Sequence, residues 1–195
     1  MCALRTRPAG PVCIGTRTYE GQCQAMKPRV TPTSSERSLG EQDFIVSKTD
    51  PKGRILYANR IFIALSGYSE AELLGRQHNI IRHPDMPRSA FKLLWDSIAA
   101  GQEFIAYVKN MAKDGSFYWV LATVTPDYDA ARRIVSYTSV RRKPRAEAVR
   151  AAAGLYKEML AAENRAGARD AIAAGTAVLT EVLNGKSYEQ FVLAL

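Results

Sequence analysis

Six side chains have types and spacings that could do chemistry. Arg82 and His83 stand just before a helix-starting pattern, in which Asp85 is a suitable N-cap and Pro87 is tolerated in the first turn. Cationic side chains beside unpaired backbone N–H groups favour an anion. The local alternative is that Arg82 pairs with Asp85 and His83 packs beside Pro84. Asn110 closes an alternating run in which Phe104, Ala106 and Val108 share its pleat face. Three apolar or small residues there make a wall, and the amide at its end offers both a donor and an acceptor. The competing role is a polar edge residue in water. Trp95 falls on the apolar stripe of its helix, a position suited to the core or to stacking on a planar ligand. Asn59 precedes an apolar helical pattern, so capping explains it as readily as ligand contact does.

Other chemistries are not expected. The three cysteines, Cys2, Cys13 and Cys23, form no CxxC pair and have no metal-ligand spacing with His78 or His83. An odd count argues against a closed disulfide framework, and a reducing cytoplasm fits best. A serine-hydrolase elbow, a phosphate-binding loop, a kinase motif and a dinucleotide fingerprint are all missing, so an enzyme is not expected. Flavin reductase activity is the one catalytic alternative. The net charge of +8 comes from the first 40 residues and the central region, while the C-terminal 51 are neutral. The densest basic run, Arg141, Arg142, Lys143 and Arg145, reads as a solvated exit from the fold. Without a basic stripe interleaved with aromatics, nucleic acid is not an expected partner. The N-terminus lacks an apolar secretory core, and no apolar run is long enough to predict a membrane span.

These residues need elements to position them. Residues 1–40 are rich in Pro, Gly, Arg, Ser and Thr without a period, and predict a disordered basic tail, with Met26 offering a second start. A central domain over residues 41–144 predicts strands at Phe44–Val46 and Arg54–Ala58 about an Asp50–Gly53 turn. Helices follow from Asn59, from the Ser69–Glu72 capping box and around Trp95. Three further strands cover Phe104–Met111, Ser116–Thr125 and Ile134–Arg141. Strands flanking grouped helices imply an α+β fold with an antiparallel sheet. Residues 145–195 predict a helical segment, interrupted near Gly167 and restarted at Ser187, whose small apolar stripes require a partner surface.

The β-β-α-α-α-β-β-β order resembles a PAS domain. The likeness is strongest to the flavin-binding PAS domains of bacterial aerotaxis receptors, on Tyr57-Ala58-Asn59, Ser66-Gly67-Tyr68, the His78–Pro87 stretch, Trp95, Val108-Lys109-Asn110 and Tyr118-Trp119-Val120. It covers residues 43–143, and the His78–Pro87 stretch is its specific part. The resemblance implies a five-stranded antiparallel sheet with helices on one face and a non-covalently held FAD between them. It further implies that Asn59, Arg82, His83, Asp85, Trp95 and Asn110 bear on flavin binding or signalling, and that redox state alters packing. A cytoplasmic redox sensor is then expected, acting on a signalling or chemotaxis partner through its surface or C-terminal helices, with a homodimer possible. Aerotaxis receptors also carry a membrane anchor and a methyl-accepting rod, and these 195 residues match neither. A cofactor-free interaction module and a haem sensor liganded by His78 or His83 are the alternatives. A light-sensing domain of the LOV type needs a cysteine beside its flavin, and no cysteine follows Cys23.

Overall fold

The computed structural model describes residues 30–195, so Met26 and most of the N-terminal tail lie outside the described residues. The chain runs through strands β1 (Ile45–Thr49) and β2 (Ile55–Ala58), helices α1 (Arg60–Ser66) and α2 (Glu70–Leu73), and a 3-10 turn at His78–Ile81. Helix α3 (Arg88–Ala99) and strands β3 (Phe104–Met111), β4 (Phe117–Tyr128) and β5 (Ile134–Arg142) follow. Helices α4 (Ala146–Leu183) and α5 (Tyr188–Ala194) end it. The strands make one antiparallel sheet in the order β2-β1-β5-β4-β3.

Local chemistry sets most boundaries. Asn59 caps α1, its carbonyl accepting from Phe62 N–H at 3.0 Å. Ser69 and Glu72 close a reciprocal capping box on α2, as do Ser187 and Gln190 on α5. The β1–β2 turn is held by Asp50, whose carboxylate accepts from the N–H groups of Lys52 and Arg54. Its Gly53 has φ 79°, where a side chain is disfavoured.

Strand alternation sends Ile45, Ser47, Tyr118, Val120, Ala122, Tyr137 and Arg141 toward the helices, where Phe62, Leu73, Ile81 and Ile98 meet them. The register forms rows across this face: Ile45, Arg141, Ala122 and Ala106 in one, and Ser47, Ser139, Val124 and Phe104 in the next. Two alanines in succession beside Arg141 leave room above the sheet.

Three features depart from the sequence expectations. Residues 33–39 are ordered: Thr33 N–H donates to Gly115 O, Arg37 N–H to Phe117 O, and Leu39 is buried in the core. The tail is therefore clasped to the β3–β4 hairpin well before residue 41. Asp85 does not cap α3, because the cap comes from 74 residues further along the chain. The Glu163 carboxylate accepts from Ser89 N–H at 2.8 Å, Ser89 Oγ at 2.6 Å and Arg88 N–H at 2.9 Å. The partner surface of the C-terminal helices is the domain itself. Ala148, Ala152, Leu155, Tyr156 and Met159 are buried against Tyr107, Trp119 and Leu121 of the sheet and Met86 and Phe91 beside it.

Helix α4 doubles back on itself. A straight helix would separate Glu163 and Gly175 by about 18 Å. Instead a Cβ built on Gly175 would lie 2.7 Å from Glu163 Oε1. The reversal occurs at Gly167, with φ 77° and ψ 174°. Helices α4 and α5 both contact β3, the strand at one end of the sheet order.

Candidate functional site

Between the sheet and its helices lies a cavity of about 460 Å³, within the size range of small-molecule sites. Its deep end is formed by β-strand side chains: Ser47, Val108, Asn110, Ala122 and Arg141. Its open side is bounded by Pro51, Lys52, Gly53 and, from α3, Phe91, Lys92 and Trp95. Trp95 is 36% exposed and meets Tyr137 edge-on, with centroids 5.9 Å apart. A Cβ on Gly53 would fall 2.9 Å from the indole, so the β1–β2 turn closes on Trp95 only because residue 53 is glycine.

The charge of the lining is one-sided. Lys52, Arg82, Lys92 and Arg141 border the cavity, and no Asp or Glu among the described residues does. Asn110 Nδ2 is buried without a hydrogen-bond partner among the described residues, and so are Arg141 Nε and Nη1. Buried polar groups are nearly always paired, so a cluster of free donors at one cavity marks a place for an acceptor-bearing ligand. A planar, apolar-faced ring with carbonyl and ring-nitrogen acceptors on one edge suits these donors and the apolar wall of Ile81, Leu94, Ile98 and Val108.

The six sequence-predicted residues divide evenly. Arg82, Trp95 and Asn110 line the cavity, and a backbone bridge pairs Arg82 with Asn110. Arg82 donates to Met86 O at 3.0 Å and lies over the Phe91 ring at 4.4 Å, so it braces the start of α3. Asn59, His83 and Asp85 stand outside the lining. Both ends of the Asn59 amide are engaged by backbone, since Nδ2 also donates to Phe44 O at 2.7 Å. His83 is buried against the Phe117 ring, and its Nδ1 accepts from Asp85 N–H at 3.1 Å. Burial lowers its pKa and favours the neutral ring. Asp85 is exposed and pairs with Lys109 at 2.7 Å. His83 and Asp85 shape the loop that carries Arg82 toward the cavity, while Asn59 holds the start of α1.

The sequence offers His78 only as a haem ligand and does not single out Arg141, yet both line the cavity. His78 stacks on Phe62 and lies 3.4 Å from Ser47 Oγ. Burial and the nearby Arg141 guanidinium hold its pKa at about 3, so it is neutral. The sequence places Arg141 in a solvated basic run, but only Arg142, Lys143 and Arg145 behave so. Arg141 is 2% exposed. The period of two in Tyr137, Ser139 and Arg141, all inward, was the signal that could have found it.

A family model described as the PAS fold matches residues 55–141. The chain is 36% identical over 127 residues to the aerotaxis receptor of Escherichia coli (strain K12), covering 65% of this chain and 25% of the receptor. It thus spans about a quarter of that relative. Among solved structures, the light state of the blue-light photoreceptor Aureochrome1 LOV superposes with a TM-score of 0.51 at 27% identity, over 59% of this chain and 91% of the other. A light-oxygen-voltage domain studied with a flavin analogue matches with the same TM-score and identity, over 57% and 83%. No helix among the described residues is long and apolar enough to cross a membrane. The five-stranded antiparallel sheet with helices over a cavity, the family match and these relatives agree: residues 55–141 have the PAS fold, and the chain is similar to part of the aerotaxis receptor.

Proposed function

We propose that this protein is a cytoplasmic redox sensor that holds FAD non-covalently in the cavity behind Trp95 and signals by protein contact rather than by turnover. The observation that carries the reading is the set of unpaired buried donors, Asn110 Nδ2 and Arg141 Nε and Nη1, at the closed end of an otherwise apolar slot. Asn110 and Arg141 would hold the polar edge of the ring, and Ile81, Leu94, Ile98 and Val108 would pack its faces. The exposed Lys52 supplies positive charge at the open side for a phosphate-bearing tail, whereas the Lys92 ammonium is paired with Asp96. A bound flavin would supply reversible electron uptake, and the protein's part is to register it. The likeness to an aerotaxis receptor and to a domain studied with a flavin analogue supports the choice of cofactor. Among the described residues no cysteine lines the cavity, and light-driven adduct chemistry needs one beside the flavin.

Output runs through α3. This helix contributes Trp95 to the cavity, and its N-terminus is held by Glu163 of α4. A change of packing around Trp95 therefore reaches the C-terminal helices, whose exposed face would meet a chemotaxis or other signalling partner or a second copy of the chain.

One absorption spectrum tests the cofactor. Purified protein should be yellow, bleach on reduction with dithionite and release FAD on denaturation. Well-folded protein that stays colourless after expression with ample flavin would overturn the reading, and an intense haem band in place of the flavin bands would replace it.

A further inference from the structure

Arg141 is the residue whose environment most needs explaining. It is 2% exposed and takes part in no ion pair among the described residues. Its guanidinium has three neighbours: Ser47 Oγ, which accepts from Nη2, the Phe62 ring 4.7 Å below, and the cavity. Its Nε and Nη1 have no hydrogen-bond partner among the described residues. Burying a guanidinium without an anion is costly, and a hydroxyl and a ring face offset only part of that cost. Burial lowers its pKa to about 10, so the charge persists at neutral pH. The groups around it stay uncharged. His78 is held near 3, and burial raises the Tyr118 phenol well above its usual value. The register reserves the space, for Ala122 follows Arg141 across the sheet and lines the cavity, where a larger side chain would reduce it.

We infer that Arg141 is a ligand-contact residue that pairs with negative charge on the ring edge, so that the site holds reduced flavin as an anion. The inference rests on the proposed flavin reading. The balance is simple: a neutral oxidised ring takes up two electrons and one proton and keeps one negative charge, which the guanidinium neutralises. The electrons come from dithionite in the assay below. Without the cation, the reduced ring takes a second proton at mildly acidic pH. Arg141 thereby sets how easily the sensor is reduced, a role distinct from the positioning done by Arg82.

The test is an equilibrium redox titration of the flavin-bound protein against pH, in the wild type and in Arg141→Met and Arg141→Lys. One proton per two electrons shifts the reduction equilibrium tenfold per pH unit, ~30 mV, and two protons shift it a hundredfold, ~59 mV. The wild type is expected to follow the smaller slope on the acidic side of neutrality. Arg141→Met should follow the larger slope there, with reduction disfavoured at least tenfold at neutral pH. Arg141→Lys should restore most of the wild-type behaviour. A merely structural role would change flavin content or melting temperature but not the slope. Flavin-bound Arg141→Met with the wild-type slope and potential would overturn this assignment and leave the flavin reading intact. Should Arg141→Met not fold, the wild-type slope alone decides, because ~59 mV per pH unit below neutrality also overturns it. Wild-type protein without flavin would remove both.

Discussion

The cavity and the seam with the C-terminal helices flank the same strands, yet they are finished to different standards. At the seam the polar groups are paired. Tyr156 donates to Tyr107 O at 2.7 Å and meets Tyr188 Oη at 3.0 Å, and Glu163 satisfies three donors on α3. Aromatic rings close it, with Trp119 stacked on Tyr156 and Phe104 on Tyr188. At the cavity, by contrast, Asn110 and Arg141 keep free N–H groups beside open volume. The difference separates surface built to hold the fold from surface built to receive something. Changes at the seam should cost stability, and changes at the cavity should cost binding.

The largest effect is expected at the seam. Met159 is wholly buried between α4 and the sheet. Met159→Ala should destabilise the protein by about 2–5 kcal/mol, measured by chemical denaturation. Removing residues 145–195 should go further, exposing Tyr107, Trp119 and Leu121 and leaving the start of α3 uncapped. A truncated protein that melted cooperatively at the full-length temperature would show that the seam is a docking face and not part of the core. The smaller change Glu163→Ala strips three hydrogen bonds from Arg88 and Ser89 and should cost about 1–3 kcal/mol.

The cavity side of the comparison is sharpened by Asn110→Leu. Asn110 Nδ2 has no partner among the described residues, so an apolar side chain of similar size should leave the ligand-free fold within about 1 kcal/mol of wild type. Flavin retention should nevertheless fall about tenfold or more, read as the flavin-to-protein absorbance ratio after dialysis. If Asn110→Leu unfolded the protein, the amide would be structural and the division between the two regions would fail at its best-defined residue.

What the sequence disclosed follows the same line. The two Ser-led capping boxes, the Asn59 cap and the Asp50–Gly53 turn were legible because each is completed within four residues. The five strands and the α+β order were legible from alternation. The α3 cap was not, since a serine hydroxyl and two N–H groups wait for a carboxylate 74 residues away. Arg82, Trp95 and Asn110 could be chosen as cavity candidates from their places on a loop, a helix stripe and a strand. Asn59, His83 and Asp85 belong to the same resemblance, but their side chains are engaged elsewhere: Asn59 by Phe44 and the start of α1, His83 by the Asp85 N–H and Asp85 by Lys109. Arg141 was hidden in a basic run whose other members are solvated, and only its pleat phase sets it apart.

The smallest effect concerns the clasp that orders residues 33–39, which belongs to neither region. Arg37 pairs with Asp114 at 2.7 Å and donates to Ser116 Oγ and Leu65 O. Hydrogen bonds from Ser116 and Arg37 hold the Asp114 carboxyl below its usual range. A carboxylate with a depressed pKa stabilises the fold at neutral pH, and that contribution fades as pH falls through the ordinary carboxylate value toward the folded one. Because the pair is largely exposed, salt and water screen it. Asp114→Asn should therefore lower the melting temperature slightly at neutral pH, and the gap from wild type should close as the solution is acidified below about pH 4. It should not alter flavin content at any pH where the fold survives, because Asp114 lies on the β3–β4 turn and outside the cavity lining. A gap that widened in acid would mean that the aspartate is held protonated, and the clasp would then rest on Ser116 and the backbone bonds alone.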